Sequence, residues 1–497
     1  MSAPDFLYEV VADDLAALIE AGTLRPGDRV PSVRALSRER GVSVSTVLQA
    51  YRSLEDRGYV EARPQSGFYV RARAAHDVPT PSPTSPRIDV VDAPCCDLPV
   101  EVMGADGAGR ARDHTVASLG PGVPAPDLLP TSALGRELAR AVRYDSPDLL
   151  SYTHAQGDPD FRAAVARRSA YWGGTLAPDD IVVTAGCMEA LSLSLLAVTE
   201  PGDAVAVESP VFFGTLQLLR VLGRRVVEVA TDPATGVCLD ALEETLDRVP
   251  VAACLFSPTY HNPLGGTVPD GDKAALVALL AEREIPLIED DVYGDLHHGP
   301  QRPRPCKAFD VDGTVLYCSS FSKTLGPGLR VGYVAPGRFL TDIWHRKVAT
   351  SVTTSSTPQR ALARYLDRGG YDLHLRRLRR TLAGNLDRLR AACAEHLPEG
   401  TRITRPDGGL LLWAELPPGA DAVAIYRAAR AEGITTAPGP AFSASGAYLT
   451  SLRLSGGHPW TPAIERGVER LGAIAREQMR DAPLDPGAFA IPTAQAA

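Results

Sequence analysis

Ser320, Ser322 and Lys323 follow a short β-branched run, Val315–Ser319, that predicts a strand. A lysine that leaves the end of a strand beside hydroxyl groups can act as an amine nucleophile next to a bound anion. Arg330, a little further along the chain, could add positive charge for a phosphate group. A lysine after serines is more often an ordinary surface residue, so this interpretation depends on groups elsewhere in the chain.

The segment Thr184–Leu191 joins a predicted strand to a predicted helix. The unpaired backbone N–H groups at a helix start attract phosphate, which makes Gly186, Cys187 and Met188 candidate phosphate ligands. The same pattern is common in plain strand-to-helix turns, so its functional meaning also depends on the other groups.

Four other side chains could surround an aromatic cofactor ring. Asp290 ends a predicted strand and can pair with a pyridinium nitrogen, while Asn262 and Tyr293 can reach a phenolic oxygen. Phe212 could stack on the ring, although a lone phenylalanine more often belongs to a core. A lysine for a Schiff base, an anion cradle, a carboxylate for a pyridine nitrogen and an aromatic cover are what pyridoxal 5′-phosphate (PLP) requires. The sequence therefore predicts PLP as a cofactor attached to Lys323.

The elements that must position these groups are strands that alternate with helices. The β-branched runs beyond residue 115 are Ile181–Thr184, Ala204–Val207, Arg225–Val229, Val251–Phe256, Ile285–Asp290 and Val315–Ser319. Strands interleaved with helical patterns predict an α/β domain around a mostly parallel sheet. We assign residues 115–480 to this domain and residues 481–497 to a tail.

The first 75 residues have a different organisation. Apolar residues at helical spacing indicate a first helix, and two further helices can begin at the capping residues Ser32 and Ser43. Two alternating segments, Tyr59–Arg63 and Phe68–Arg71, then predict a β-hairpin. Three helices and a hairpin within residues 1–75 are typical of a winged helix-turn-helix domain.

The third of these helices would offer one face to the DNA major groove. Its buried face would be Val47, Tyr51 and Leu54, and residues 29–73 carry nine arginines against four acidic residues on a chain of net charge −9. Hydroxyl, amide and guanidinium groups suit phosphates and base edges. The candidate DNA contacts are Ser32, Arg34, Ser43, Ser45, Thr46, Gln49, Arg52, Arg63 and Gly67. The alternative is a small protein-binding domain with solvated arginines.

Length and composition restrict the class of protein. At 497 residues the chain is too long for one hydrophobic core, and no apolar run approaches the roughly 20 residues of a membrane-spanning helix. The acidic, polar N-terminus lacks the pattern of a secretory signal, which indicates a cytoplasmic protein. The eight cysteines form no CxxC pair and no metal-ligand spacing, so we expect reduced thiols and no metal. Residues 76–114, rich in Pro, Ser, Asp and Gly, predict a linker that could be flexible.

Two resemblances sharpen these predictions. Leu24–Leu36, Val42–Val47 and Arg63–Gly67 closely resemble the DNA-binding domain of the GntR family of regulators, except that Val44 stands where many relatives have a basic residue. The chain from about 115 to 478 resembles fold-type I aminotransferases. That resemblance implies a large, mostly parallel α/β sheet domain with a smaller C-terminal α+β lobe.

The aminotransferase resemblance also implies roles for individual residues. It assigns the cofactor-bound lysine to Lys323, the pyridine-nitrogen aspartate to Asp290 and the ring-stacking aromatic to Phe212. The phosphate ligands that it implies are Gly186, Cys187, Met188, Ser320, Ser322 and Arg330. Arg453 resembles the arginine that clamps a substrate carboxylate. Tyr152 is similar to the tyrosine that reaches the phosphate of the neighbouring subunit, which implies a homodimer.

A GntR-type head on an aminotransferase-like body resembles the MocR group over the entire chain. The resemblance implies a regulator that binds a double-stranded DNA operator and responds to PLP or to an amino acid or amine. In this hypothesis the amine displaces Lys323 from PLP, the lobe that carries Arg453 shifts, and the heads are re-spaced on DNA. One alternative is a working aminotransferase, amino acid to 2-oxo acid, with an accessory head. Another is a structural body that has lost PLP.

Overall fold

The computed structural model describes residues 7–20, 23–25, 27–56, 59–63, 66–70, 78–94, 98, 101–102, 115–145 and 150–481. The chain divides into two compact units, one before and one after the boundary between Asp77 and Val78. Each unit has its own apolar core.

The smaller unit consists of three helices and a hairpin. Its elements are α1 (Leu7–Glu20), α2 (Val33–Arg40), α3 (Val44–Asp56), β1 (Val60–Arg63) and β2 (Gly67–Val70). Ser32 Oγ accepts a hydrogen bond from the Ala35 N–H at 3.2 Å, and Ser43 Oγ accepts one from the Thr46 N–H at 3.1 Å. The two predicted caps therefore begin α2 and α3, because each satisfies an N–H group that the helix itself leaves unpaired.

The core of this unit contains the predicted face of α3. Val47, Tyr51 and Leu54 are fully buried and belong to one apolar cluster with Val11 and Leu15 of α1. The two hairpin strands pair in antiparallel register. The predicted winged helix-turn-helix is confirmed by this arrangement.

The larger unit begins with a mixed, mostly parallel sheet. The strands of the larger unit, including those of its smaller sheets, are β3 (Val90–Asp92), β4 (Ala117–Ser118), β5 (Val182–Thr184), β6 (Ala204–Ser209), β7 (Arg225–Asp232), β8 (Gly236–Val237), β9 (Val251–Phe256), β10 (Leu287–Asp290), β11 (Val315–Ser320), β12 (Gly332–Ala335), β13 (Arg402–Ile403), β14 (Leu411–Glu415), β15 (Ile434–Thr435), β16 (Ala437–Pro438) and β17 (Ser451–Ser455). The large sheet has the order β3-β7-β6-β9-β10-β11-β12-β5, with β8 beside β7. The neighbouring strands β7, β6, β9, β10 and β11 are parallel, whereas β8 runs antiparallel to β7 and β12 runs antiparallel to both of its neighbours.

Helices cover both faces of the large sheet. The helices of the larger unit are α4 (Thr131–Tyr144), α5 (Pro159–Ser169), α6 (Cys187–Val198), α7 (Phe213–Val221), α8 (Leu239–Arg248), α9 (Asp270–Glu282), α10 (Leu340–Ser351), α11 (Ser356–Asp367), α12 (Gly370–His396), α13 (Ala422–Ala431) and α14 (Pro462–Asp481). Val205 of β6 packs in one cluster with Leu191 of α6, whereas its neighbour Ala206 packs in another with Leu276 of α9. Because neighbouring residues of a strand point to opposite faces, the sheet is buried on both sides, as the predicted α/β class requires.

A smaller lobe follows α12. Its antiparallel sheet has the order β13-β14-β17-β16, and α12, α13 and α14 contribute to the apolar cluster beside it. β15 pairs in parallel with β4, so the segment around Ala117 belongs to this lobe although it lies far before β13 in the chain. The predicted C-terminal α+β lobe is confirmed.

Residues 78–92, part of the predicted linker, are instead attached to the larger unit, and we call them the strap. The Ile403 N–H donates to Pro79 O at 2.9 Å in the smaller lobe, and Thr84 Oγ1 donates to Ser209 O at 2.7 Å in the large sheet. β3 then pairs antiparallel with β7. The linker prediction is therefore wrong for these residues, because the short Val90–Val91 run covers a sheet edge that its Pro-rich surroundings did not suggest.

No helix within the described ranges combines the length and apolarity that crossing a bilayer would need. The six described cysteines are free thiols, and all but Cys238 are buried. Cys95 and Cys96 lie outside the described residues.

Candidate functional site

The predicted cofactor residues follow the carboxyl ends of parallel strands. β5 ends at Thr184, β6 at Ser209, β9 at Phe256, β10 at Asp290 and β11 at Ser320. Open α/β sheets bind their ligands at this edge. The predicted residues that follow these five ends are Gly186, Phe212, Asn262, Tyr293 and Lys323.

Lys323 differs from the other lysines in its surroundings. The sequence contains four lysines, and the amines of Lys273, Lys307 and Lys347 are each bonded to a side-chain oxygen within 2.9 Å. Lys323 has no hydrogen-bond or ion-pair partner among the described residues, and its Nζ lies 5.5 Å from the centre of the Tyr293 ring. Of the four amines, all within the described chain, that of Lys323 is left available to a ligand.

Lys323 and Asp290 influence each other's protonation. Burial lowers the pKa of Lys323 to about 8, although the charge of Asp290 acts in the opposite direction. Burial raises the pKa of Asp290 to about 6, against the opposing effects of the Cys187 hydrogen bond and the Lys323 charge. Near neutral pH the lysine can therefore lose its proton while the aspartate stays mostly ionised, as a nucleophile and a counter-ion must.

Asp290 has a second contact that involves a predicted residue in a new role. Cys187 Sγ donates to Asp290 Oδ1 at 3.4 Å. Burial, followed by the charge of Asp290, raises the pKa of the Cys187 thiol well above its ordinary value. The thiol stays protonated and can donate, so Cys187 supports the carboxylate in addition to lying at the start of α6.

The start of α6 and Arg330 form a cradle for an anion. Gly186 precedes α6 with a φ of +85°, and no side chain caps this helix start. Arg330 Nη2 donates to Ala185 O at 2.7 Å, and a Cβ added at Gly186 would lie 2.6 Å from the same nitrogen. Both the φ and the close approach require glycine. A helix start beside a guanidinium group suits a phosphate.

Arg453 lies in a second group that faces the same strand ends. It is on β17, is 2% exposed, and donates to Gly120 O at 2.6 Å and to Asn262 Oδ1 at 3.2 Å. The Tyr293 hydroxyl donates to Gly122 O at 2.9 Å. The structure thus brings Arg453, Asn262 and Tyr293 together beside the backbone of Gly120 and Gly122. The sequence analysis did not identify this segment, which only its Gly-Pro-Gly pattern could have indicated.

The other predicted ligands have less direct support. Ser320 and Ser322 are buried in the turn before Lys323, and Met188 is 37% exposed at the start of α6. Phe212 is half-buried before α7, with its ring 4.7 Å from that of Phe213. Their contacts with a cofactor stay predictions. The same holds for Tyr152, which is 87% exposed.

A buried acid and base support the Asn262 turn. His261 Nε2 lies 3.3 Å from Glu208 Oε2, and both side chains are 1% exposed. The same carboxylate oxygen accepts from the Ser257 N–H at 2.8 Å. Sequence reasoning missed Glu208 because it comes from β6, far along the chain from the turn that it holds.

In the smaller unit the predicted DNA contacts lie on the surface. The exposed ones are Ser32, Arg34, Ser43, Ser45, Gln49, Arg52, Arg63 and Gly67, and Thr46 is half-buried. Ser43 Oγ lies 2.7 Å from both Ser45 Oγ and Thr46 Oγ1, so these hydroxyls form one cluster at the start of α3. Side chains at the start of a recognition helix are those nearest the base edges.

The hairpin holds one of these candidates in contacts of its own. Arg63 pairs with Glu61 at 2.8 Å and lies over the Tyr69 ring at 4.4 Å. Gly67 has a φ of +110°, and a Cβ there would lie 3.3 Å from the Arg29 guanidinium group. The hairpin-tip residues Pro64 and Gln65 lie outside the described residues.

The groups around Lys323 fit PLP. An amine with a lowered pKa, a buried carboxylate, donors for a phenolic oxygen and a glycine-lined helix start beside an arginine are the complement that this cofactor needs. Groups of three or more metal-binding side chains do not occur among the described residues.

Comparison with known proteins agrees with this division. Residues 122–471 match the family described as aminotransferase class I and II, and residues 7–70 match the bacterial regulatory proteins of the gntR family. The HTH-type transcriptional regulator YjiR of Escherichia coli (strain K12) is 40% identical over 95% of this chain and 99% of its own. The probable rhizopine catabolism regulatory protein MocR of Rhizobium meliloti is 30% identical over 87% of this chain and 86% of its own.

A solved structure resembles the larger unit. The α-aminoadipate aminotransferase LysN of Thermus thermophilus, complexed with N-(5′-phosphopyridoxyl)-L-leucine, superposes with a TM-score of 0.69 at 30% identity, over 76% of this chain and 97% of its own. The chain therefore belongs to the MocR-type family, in which a gntR-type helix-turn-helix domain precedes a domain of the aminotransferase class I and II family.

Proposed function

We propose that this protein is a transcription regulator that binds a double-stranded DNA operator through its smaller unit and holds PLP on Lys323 of its larger unit. The observation that carries the proposal is the available Lys323 amine beside the buried Asp290, in a chain whose first unit is a winged helix-turn-helix. Such a protein acts in the cytoplasm, where its DNA lies. It senses PLP itself or an amino acid or amine that reacts with the cofactor.

Different residues hold different parts of the cofactor. When bound, PLP supplies an electrophilic carbon and an electron-withdrawing ring, which together take up an amine. Lys323 provides the attaching amine, and Asp290 balances the charge of the ring nitrogen. Asn262 donates to the phenolic oxygen, Tyr293 reaches the same oxygen when its hydroxyl turns away from Gly122 O, and Phe212 covers the ring. The groups that bind the phosphate are Gly186, Cys187, Met188, Ser320, Ser322 and Arg330.

Arg453 is suited to the carboxylate of an amino-acid effector. Its guanidinium group is buried and bonded to Gly120 O and Asn262 Oδ1. A bidentate carboxylate would compete for these donors, since a guanidinium group presents a limited fork of N–H groups. Binding of the effector would therefore rearrange the contact between β17 of the smaller lobe and the Asn262 turn of the larger sheet.

The strap offers a route from the lobes to the head. It follows the smaller unit directly in the chain and is bonded first to the smaller lobe and then to the large sheet. Thr84 binds Ser209 O, three residues before Phe212. A shift between the lobes would pull on this segment. An effector changes DNA binding only if its affinity differs between the two arrangements.

We propose a homodimer in which Tyr152 reaches the phosphate of the neighbouring subunit. Tyr152 is 87% exposed within one chain, which supports this role, since a side chain that reaches a neighbouring subunit must extend away from its own subunit.

The lowered pKa of Lys323 predicts how PLP-free protein takes up its cofactor. Only a neutral amine attacks an aldehyde, so the attachment rate should rise about tenfold per pH unit below pH 8 and level off above it. The sign follows because raising the pH removes the proton that blocks the amine. Stopped-flow absorbance between pH 6 and 10 measures the attachment rate, with Nα-acetyl-lysine as the control. A rate that keeps rising to pH 10, as for the control, would contradict the placement of Lys323.

DNA recognition is tested by substitution on α3. Duplexes are first selected from a random library with the purified protein, and affinity is then measured by fluorescence anisotropy. Arg52→Ala and Gln49→Ala should each weaken binding by about 1–3 kcal/mol, roughly 5- to 150-fold, because base contacts are lost. Arg248→Ala removes the same charge from the other unit and serves as the control. If neither α3 variant differs from this control, α3 is not the reading helix.

A second function, amino-acid transamination, is favoured by the complete set of predicted cofactor groups around Lys323. Turnover with 2-oxoglutarate and a panel of amino acids decides between the two. Rates of about 1 to 1,000 per second would support an enzyme. A single slow half-reaction that stops after one equivalent would support the sensor.

A further inference from the structure

Behind the cofactor residues lies a buried set of charged and hydroxyl side chains, which we call the Arg302 network. Arg302 Nη2 lies 2.5 Å from Asp291 Oδ2, and its Nε lies 2.9 Å from Asp295 Oδ1. The Tyr371 hydroxyl donates to Asp295 Oδ2 at 2.8 Å and is hydrogen-bonded to Thr324 Oγ1 at 3.0 Å. The network therefore runs without a break from the segment after β10 to the residue after Lys323.

Two members of the network are chain neighbours of predicted cofactor residues, and Arg302, Asp295 and Tyr371 link these two members to each other. Asp291 follows Asp290, and Thr324 follows Lys323. Next to Tyr293 is Gly294, where a Cβ would collide with Asp291 Oδ1 and lie 2.5 Å from Arg302 Nη2. The network thus fills the space beside this glycine, and a side chain there would push the ion pair apart.

A cavity of about 20 Å³ lies beside the network, and Asp291, Arg302, Thr324 and Tyr371 help to line it. Asp291 Oδ1 and Arg302 Nη1 are both buried without a hydrogen-bond partner among the described residues. A cavity above roughly 10–15 Å³ can hold one water when two or more polar groups are ready to bind it. One water could accept from Arg302 and donate to Asp291, which leaves neither group unsatisfied.

Asp295 and Arg302 keep their charges over the working pH range. Burial alone would raise the pKa of Asp295, but Arg302, Arg168 and the Tyr371 hydroxyl lower it to about 2.

The network is also bonded to α12, which continues into the smaller lobe. Besides Tyr371, this helix supplies His374, whose Nε2 lies 2.7 Å from Thr324 O.

We propose that the Arg302 network, with one internal water, is a positioning device that fixes Lys323 relative to Asp290 and Tyr293. The network residues are not among the predicted cofactor ligands, so we expect their effect to pass through the neighbouring residues. The inference rests on the proposed function, because the geometry that it sets matters only when PLP is attached to Lys323.

The test compares Tyr371→Phe with Tyr365→Phe in the full-length holoprotein. Tyr365 is similarly buried, and its hydroxyl binds only the backbone at Gly370 O, at 3.2 Å, among the contacts described. The readouts are the thermal midpoint and the pH midpoint of the visible absorbance of the Lys323-bound cofactor. Tyr371→Phe should move the pH midpoint by about half a unit or more, whereas Tyr365→Phe should leave it in place.

Thr324→Val, which removes the other end of the hydrogen bond to Tyr371, provides a second variant if Tyr371→Phe fails to fold. Its shift should be in the same direction, and the double variant should shift less than the sum of the two, because the two hydroxyls share one bond. An unmoved midpoint in Tyr371→Phe, or in Thr324→Val where Tyr371→Phe does not fold, would overturn the positioning role. An unmodified protein without visible absorbance would instead refute the proposed function. A crystal structure without a water between Asp291 and Arg302 would refute the water alone.

Discussion

Lys323→Ala protein is expected to bind no PLP covalently, whereas the unmodified protein is expected to be yellow and to be labelled at position 323 after borohydride reduction. The reason is that the other three lysine amines are engaged in hydrogen bonds within 2.9 Å, so none replaces the missing nucleophile. Visible absorbance after gel filtration and peptide mass mapping of the reduced protein measure the effect. With four lysines in the chain, the label can be assigned without ambiguity.

Two controls separate the nucleophile from other effects of the substitution. Lys323→Arg keeps a positive charge at the position but cannot attach the cofactor, and it should be as colourless as the alanine variant. Lys307→Arg should stay coloured, since Lys307 pairs with Asp310 away from the site. Retention of a reducible cofactor by Lys323→Ala would show that Lys323 is not the attachment residue.

Asp290→Asn is expected to weaken PLP binding by roughly 150- to 5,000-fold. The carboxylate is 9% exposed, and loss of one partner of a buried ion pair costs about 3–5 kcal/mol because the remaining charge is left uncompensated. Equilibrium dialysis of PLP against the cofactor-free variant, at pH 7.5 where Asp290 is ionised, gives the affinity. Asp290→Glu keeps a carboxylate and should recover part of the loss. Equal affinity of the Asn variant and the unmodified protein would remove Asp290 from the ring nitrogen.

Much of the fold could be predicted because local signals carried it. Ser32 and Ser43 cap the helices that they were expected to begin, and the β-branched runs became the parallel strands of the large sheet. The strap and β12 were not predicted. Each is a short run whose strand conformation depends on pairing with a distant edge, and such pairing leaves little trace in the local sequence.

The same distinction between local signals and distant pairing separates the site residues that could be predicted from those that could not. Lys323, Asp290 and Gly186 could be recognised because Asp290 ends a strand and the other two follow a strand end within a few residues. The Glu208–His261 pair and the Arg302 network could not, because their members come from separate elements. Arg302 lies in a Pro-rich segment that resembles an exposed loop in sequence, yet its side chain is buried and paired with two carboxylates.

Operator affinity as a function of cofactor state tests the central claim most directly. A duplex selected by the protein is titrated with PLP-loaded, PLP-free and amine-treated samples, with a panel of amino acids and simple amines as probes. We expect at least one change of state to alter the Kd by about 5- to 150-fold, the range of ordinary coupling between two sites. Lys323→Ala protein should show no response to the amines. The same Kd in all three samples would contradict the account, since the cofactor state of the larger unit would then have no effect on the affinity of the smaller unit for DNA.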